Sequence, residues 1–512
     1  MARYYPDSAA FARVGVFPYT GGLHARGRFN LRQSASEGMH ALIVHYHLKP
    51  GGVTTVIQRQ VSALAERGID ASLLVGEPAA HVGASVAVEP ALMYDQDGGR
   101  EPDPRRVRAI VNSIEREARA LGRDTVIHVH NPTIRKNASM LAALSEIAES
   151  GRSVLLQVHD LAEDWRPDVY AQAPYPRGAR WAAINRFDQA AIGAAIGSPQ
   201  AVTFLPNPVP TDTQTGGMAR AGSGSDRPRG PGLVLYPVRG IRRKNLGEIL
   251  LLSMFARPGA SVAVTLPPNK PEDMPRYAAW RSLAATLGAP ARFDQGLEHG
   301  LDELYARATA VVSTSIKEGF GLSYLEPMAR GRVTLGRRLG RVIVDFEDEG
   351  LSFPALYERL VVPAGLFDAD AFASRATVAV NAAARNYGVP ERGEQLARAV
   401  VASVLESSGA GPDFGRLDEE AQTQVLREVA GRAEGRARIL AANPFLDGWD
   451  AIADSLEPTP PEMLEPWSER ACADRLAATY RQALDGDGYP APDKARLLSR
   501  YLVPESFHGV GI

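Results

Sequence analysis

The chain has 512 residues, with 57 Lys and Arg against 59 Asp and Glu, a formal charge of −2. At roughly 150 residues per domain, that length suffices for about three domains with sizeable cores. The near-neutral balance argues against a chain that works by neutralising a nucleic-acid backbone or by holding fast to anionic lipid.

A single cysteine, Cys472, leaves no internal disulfide framework and no Cys-rich zinc site, a usage that suits a reducing cytosol. Residues 1–38 carry Arg3, Arg13, Arg26, Arg28 and Arg32 without an apolar run of signal-peptide length. No segment approaches the roughly 18 apolar residues of a membrane span. The expectation is a cytoplasmic chain with no stable membrane insertion and no nucleic-acid partner.

In chain order, residues 41–44 read as a buried strand, followed by a turn at Gly51 and Gly52. Residues 53–67 read as a helix, with Val53, Val56, Ile57, Val61 and Leu64 at helical spacing. A strand over 71–75, a helix over 105–121, a strand over 126–129, a helix over 137–149 and a strand over 154–158 follow. Strands alternating with helices imply right-handed crossovers and a parallel sheet. Residues 211–232 are dominated by Gly, Ser, Thr, Arg and Pro, which is linker composition.

Alternation then restarts. Strands are predicted over 233–238, 262–266 and 310–312, and helices over 246–256, 276–287, 301–308 and after Gly321. This pattern implies two α/β units joined by the linker; the alternative is one long sheet with an insertion. From about Asp368 the pattern turns helical, over 369–384, 393–405 and 419–440, with a last helix over 468–484. The expected organisation is therefore an N-terminal extension (1–38), a first Rossmann-like domain (39–210), the linker (211–232), a second Rossmann-like domain (233–367) and a helical insertion (368–456).

Ligands of open parallel sheets bind beyond the carboxyl ends of the strands, so strand ends supply the candidate site residues. Ser315 to Glu326 runs from a predicted strand through a glycine turn into a helix. Gly319 and Gly321 permit close backbone approach, and the helix start offers unpaired N–H groups to an anion. Glu318 and Glu326 would lie roughly 8 Å apart along the helix axis, able to reach different hydroxyls of one elongated ligand. After the strand over 233–238 come Arg239, Arg242, Arg243 and Lys244, a forked and point-charge set suited to a diphosphate. Cations beside diol-binding acids are the chemistry of a sugar nucleotide.

Together these motifs resemble a retaining glycosyltransferase of the GT-B fold, close to family 4. The resemblance rests on Ser315 to Glu326, on Arg239 with Lys244 five residues on, on Gly51 and Gly52, and on His159 with Asp160. It covers about residues 39–346 and the final helix, and it implies two Rossmann-like domains, with residues 457–512 completing the first. It further implies that Arg239 and Lys244 hold the donor diphosphate and stabilise the leaving group without a metal or other cofactor. Glu318 would contact the transferred sugar and Glu326 the ribose, while backbone amides of Gly319, Phe320, Gly321 and Leu322 cradle phosphate or sugar. His159 would sit beside the reacting sugar, and Gly51 and Gly52 would let diphosphate and acceptor approach.

The implied reaction transfers a hexose, from UDP-glucose or GDP-mannose by family frequency, to a small-molecule or saccharide acceptor. Oligomerisation is left open. The sequence departs from the family where Pro267, Pro268, Asn269 and Lys270 replace a glycine-rich turn, and where Pro327 follows Glu326 inside the expected helix.

Two other readings compete. His45, His47, His128, His130 and His159 fall at strand ends, and His-x-His pairs can ligate zinc in a metal-dependent hydrolase. A non-catalytic sugar-nucleotide-binding protein would keep the same donor residues. The aromatic run Trp165, Tyr170, Tyr175 and Trp181 after His159 is a candidate stacking surface for an acceptor, with packed structure as the alternative.

Overall fold

The computed structural model describes residues 38–78, 83–95, 99, 101–210, 228–406, 409 and 411–511. The expected N-terminal extension, apart from Gly38, and residues 211–227 of the expected linker lie outside the described residues.

Seven strands form one parallel sheet: β1 (His40–Val44), β2 (Asp70–Val75), β3 (Ser85–Val88), β4 (Thr125–His130), β5 (Val154–Val158), β6 (Arg180–Ala183) and β7 (Val202–Phe204). Their order is β3-β2-β1-β4-β5-β6-β7. A separate parallel sheet contains β8 (Leu233–Arg239), β9 (Ser261–Leu266), β10 (Ala291–Arg292), β11 (Ala308–Ser313), β12 (Thr334–Arg337) and β13 (Leu356–Tyr357). Its order is β10-β9-β8-β11-β12-β13. The chain thus builds two doubly wound α/β sheets rather than one, as the GT-B resemblance implies. In each, strand order reverses once, between β1 and β4 and between β8 and β11, and the crevice outside the carboxyl ends there is where ligands bind.

The strands form where β-branched and apolar residues are buried on both faces. β4 (TVIHVH) and β5 (VLLQV) are buried at every position, as the middle of a helix-covered parallel sheet requires. One face of the first sheet is covered by helices Gly52–Glu66 and Glu469–Asp485, with Ile57, Val61 and Leu64 packed against Cys472, Leu476 and Tyr480. Ser468 starts the second of these by accepting a hydrogen bond from the Ala471 amide at 3.1 Å, the expected N-cap. The other face packs on Pro104–Leu121, Met140–Glu149 and Lys494–Tyr501.

Helices Ala369–Asn386, Gly393–Leu405, Glu419–Gly431 and Ala433–Ala442 are not a body apart. Their Val380, Val400 and Val425 share one core with Leu250, Val262 and Val312 of the second sheet unit. The continuous helix expected over 419–440 is two helices, because Arg432 is extended at φ −136° and ψ 123°. Pro327 lies inside Leu322–Ala329 without ending it. No helix among the described residues is long and apolar enough to cross a membrane.

Candidate active site

Both switch points put predicted residues on the loops that leave their strands. Gly51 and Gly52 follow β1, and His159 and Asp160 follow β5; Arg239 ends β8, Lys244 closes the next turn, and the 314–321 loop follows β11. The two sets meet. Lys244 and Glu318 are in direct ion-pair contact, with side chains only 12% and 10% exposed. Arg243 reaches across to Asp160 at 3.3 Å, and Arg166 holds the same carboxylate at 3.1 Å. Asn185, at the start of helix Arg186–Ile196, donates through Nδ2 to the Gly319 carbonyl at 2.7 Å.

Burial pushes the Glu318 carboxyl up, but Lys244 and Arg243 outweigh it and hold the group below its ordinary value. Burial draws Lys244 down while Glu318 supports its charged form. For Asp160, burial is overcome by Arg166, Arg243 and Lys317, and the carboxyl falls to about 2. The site is therefore a buried array of paired charges at neutral pH.

His159, only 5% exposed, accepts or donates one bond from its Nε2 to His130 Nδ1 at 3.0 Å. His128 bonds Tyr480 through Nδ1 at 2.8 Å and Gln157 through Nε2 at 2.9 Å. Burial lowers His45 and His128 to about 3 and His159 to about 4. These rings are neutral at pH 7 and bond to one another and to buried neighbours, except that the buried Nε2 of His130 has no hydrogen-bond partner among the described residues. Among the described residues, no three His, Cys, Asp or Glu side chains gather as a metal-ligand set. A transfer rate limited by His159 would show no inflection near 6.5; we expect its imidazole to titrate near 4 by NMR, with the rate flat in this respect from about pH 5.5 to 8. An imidazole titrating near 6.5 would show that the ring is not buried as described.

The glycines have different reasons. A Cβ on Gly52 would meet no packed neighbour within 4 Å among the described residues, so packing does not require a glycine there. Gly319 is different: a Cβ there would overlap the His159 carbonyl oxygen, with Ile184 Cδ1 at 3.2 Å. Gly321 sits at φ +93° and caps helix Leu322–Ala329, a conformation that favours glycine. Gly319→Ala should push the two strand-end sets apart by about 1 Å, enough to cost about 100-fold in rate. Steady-state kinetics alongside an unchanged far-UV CD spectrum and thermal midpoint would test it; near-normal turnover would mean that the contact is not needed for reaction.

Some predicted residues are placed otherwise than expected. The Phe320 side chain is 4% exposed and packs on Phe346 at 5.5 Å between ring centres, so only its backbone faces the loop. Glu326 is paired with Arg59 of the first domain at 3.1 Å, and Arg59 also donates to the Pro208 carbonyl at 2.9 Å. The aromatic run is core: Trp165, Tyr170, Tyr175 and Trp181 are all buried. Tyr170 packs on Tyr387 of the helical region at 5.0 Å, and Tyr175 donates to Glu163 at 2.9 Å. Their large apolar surfaces are worth more packed than exposed, which removes them as an open stacking platform.

Three partners escaped the sequence reading. Lys317 pairs with Asp164 at 2.8 Å, and Arg341 approaches Asp164 at 3.5 Å, bridging the two sheet units beside His159 and Glu318. A small cavity is lined there by His159, Asp160, Asp164, Lys317, Glu318 and Arg341 among others. Lys317 adjoins Glu318 in sequence and had a local signal; Asp164 and Arg341 had none.

Residues 50–213 match the family model described as Glycosyltransferase Family 4. A mannosylglucosyl-3-phosphoglycerate synthase of Petrotoga mobilis is 26% identical over 368 residues, covering 62% of this chain and 68% of the relative. Among solved structures, a glycosyltransferase from Rickettsia africae aligns over 88% of this chain and all of that one, at 11% identity and a TM-score of 0.49. Anabaena HepE in complex with UDP and glucose aligns over 87% of this chain and all of that one, at 14% identity and a TM-score of 0.46. With a family 4 match over residues 50–213 of its first sheet unit, a glycosyltransferase relative, and two doubly wound domains meeting at their strand ends, the chain is a glycosyltransferase, an enzyme of the hexosyltransferase class, similar to family 4 in that first unit.

Proposed function

We propose that the enzyme moves a hexose from a nucleoside diphosphate sugar to a hydroxyl of a small soluble acceptor, with retention at the anomeric carbon and without a metal. The observation that carries this reading is the buried contact of Lys244 with Glu318 beside His159. It joins the group suited to a diphosphate with the group suited to sugar hydroxyls.

On donor binding the diphosphate takes the place of Glu318 at Lys244, and Arg239 supplies a second cation. Glu318, released, accepts hydrogen bonds from the hexose hydroxyls. Neutral His159 bonds the sugar from the first domain, and Glu326 exchanges Arg59 for the ribose hydroxyls. The bond from the anomeric carbon to the phosphate oxygen breaks as the acceptor oxygen bonds to the same face. The acceptor proton passes to the departing phosphate oxygen, so no carboxylate nucleophile is needed. Arg239 and Lys244 favour the transition state because charge builds on the leaving diphosphate only as that bond breaks.

UDP-glucose and GDP-mannose are the leading donors. A synthase of mannosylglucosyl-3-phosphoglycerate as a relative supports hexosyl transfer to a soluble acceptor. A thermal-shift screen of UDP-, GDP- and ADP-sugars tests the donor class, since a ligand that binds the folded state raises the midpoint by mass action. One nucleotide series should stabilise the protein, and Lys244→Ala should lose the shift. No shift from any of the three series would overturn the donor assignment.

A further inference from the structure

The end of β4 is fastened to the His159 loop at three points. Thr133 donates through its hydroxyl to the Asp160 carbonyl at 2.6 Å. Asn131, at φ +56°, turns its Oδ1 back to accept from the amides of His159 at 3.3 Å and Asp160 at 3.1 Å. Asparagine is among the few side chains that tolerate this left-handed conformation. His130, the last residue of β4, meets the His159 ring itself: its Nδ1 lies 3.0 Å from His159 Nε2, with 5.2 Å between ring centres and 25° between planes. That edge-to-edge, near-coplanar contact is the geometry of an N–H···N bond. The first two links hold the backbone of the site loop, and the third holds its imidazole.

The surroundings of the pair decide which nitrogen carries the proton. Both rings are neutral at pH 7, because burial lowers each, so one of the two facing nitrogens is protonated and the other is bare. If His159 Nε2 were the donor, the proton of His130 would sit on its own Nε2. That atom is buried and has no partner among the described residues. The neighbouring His128 ring, 4.4 Å away and tilted by 32°, is closer to stacked than to edge-on and does not turn its face to that position. A buried N–H without an acceptor is among the least tolerated groups in a folded chain, whereas an acceptor is more readily left unpaired. With the proton on His130 Nδ1 the unpaired atom is a lone pair only, and the bond runs from His130 to His159. His159 then carries its own proton on Nδ1. That nitrogen has no protein partner among the described residues, and the ring lines the cavity shared with Glu318 and Gly319.

We propose that His130 is a positioning residue: by donating from Nδ1 it holds His159 in the Nδ1–H form, so that the site offers an N–H donor to an oxygen of the transferred sugar. The bond made by one imidazole nitrogen sets whether the other shows a proton. A carboxylate in the place of His130 would accept instead, and would turn a bare nitrogen to the sugar. The donor complements Glu318, whose carboxylate can only accept. Sugar hydroxyls thus find both partners in one cavity, while an ammonium group placed at His159 would find no acceptor there. For the sugar contact this inference rests on the transferase reading above; the tautomer does not depend on it.

The tautomer is read from the full chain carrying isotopically labelled histidine. Protonated and bare imidazole nitrogens resonate far apart and couple to different ring protons, so a long-range nitrogen–proton NMR spectrum at pH 7 separates the two forms. The signals lost in His159→Gln identify that ring. His159 should show a protonated Nδ1 and a bare Nε2; a proton on Nε2 overturns the proposal.

His130→Asn and His130→Leu give the second readout. The Asn amide nitrogen takes the place of Nδ1 and can donate to His159, while Leu fills the space without donating. Leu should lower kcat/KM for UDP-glucose or GDP-mannose by about 10- to 100-fold, the worth of one buried hydrogen bond, and leave the thermal shift given by UDP or GDP alone unchanged. Asn should recover most of that loss although Leu, with no amide to satisfy, is the more stable of the two. A packing role would instead rank activity with stability, Leu above Asn. That ranking, or an equal weakening of nucleotide and nucleotide sugar, overturns the proposal. If neither nucleotide sugar binds wild type, the donor reading fails and takes the sugar contact with it; the His159 spectrum still supports or overturns the tautomer.

Discussion

Truncating Glu318 or Lys244 to Ala is expected to reduce transfer by at least about 100- to 1000-fold, the usual effect of losing one preorganised charge at a developing one. Both substitutions should also cost stability, because each leaves the partner charge buried without compensation. Removing one member of a buried pair typically costs about 3–5 kcal/mol. That is a large fraction of a typical domain stability of about 5–15 kcal/mol, yet the protein should remain folded. Glu318→Gln separates the two effects: the amide oxygen still accepts a hydrogen bond from Lys244, so most stability returns while transfer stays low. Nucleoside diphosphate release and urea unfolding on the same preparations make the comparison. Activity that recovers in step with stability would mean the pair holds the fold and nothing more.

The second large effect lies outside the reacting cluster. Arg337 of β12 is 4% exposed and forks onto Glu248 at 2.6 Å and Asp413 at 2.7 Å, which are themselves 0% and 9% exposed. Tyr357 donates to Glu248 at 2.5 Å, and Asn245 donates through Nδ2 to Glu248 at 2.8 Å. Asn245 directly follows Lys244, and its Oδ1 accepts from Gln422 of helix Glu419–Gly431 at 2.9 Å. The helical region thus braces the loop that carries Lys244.

Arg337→Met would leave two buried carboxylates facing each other, and should cost about 3–5 kcal/mol or more in urea unfolding. The pH dependence has a definite sign. Without Arg337, burial and mutual repulsion raise both native carboxyl pKa values above their unfolded values. The variant is therefore least stable when both are ionised, and it should regain stability as pH falls through those raised values. A loss that does not diminish on acidification would contradict the buried triad. Adding Asp413→Asn should restore part of the loss at neutral pH.

Much of this architecture was legible because its signals are contiguous. Val154–Val158, apolar except for Gln157, stands between polar neighbours, and Ser315 to Glu326 carries its turn and helix start in twelve consecutive positions. Short strands were not legible: β3, β6 and β7 have four, four and three residues, too few for a period to show. β12 hid for another reason. It contains Gly336 and Arg337, both poor strand residues by composition, and the reason for each lies far off in sequence. Gly336, at φ +115°, sits against the Ser313 carbonyl of β11, and Arg337 answers Glu248 and Asp413.

The same holds at the site. Lys244 and Glu318 were found as members of two local clusters, but their contact joins positions 74 apart. Arg59 as the partner of Glu326 is 267 residues away. The aromatic run after His159 misled in the opposite direction: its composition suits stacking, while its packing partners Tyr387 and Phe507 lie in segments the family pattern does not cover.

The most direct measurement is a transfer assay with nucleoside diphosphate sugars and a panel of small hydroxylated acceptors, run with EDTA, with the product anomer assigned by NMR. Release of nucleoside diphosphate matched by a glycoside of the donor's own anomeric configuration, and abolished by Lys244→Ala, is the predicted result. An inverted product, a strict requirement for added metal, or full turnover by Lys244→Ala would contradict it.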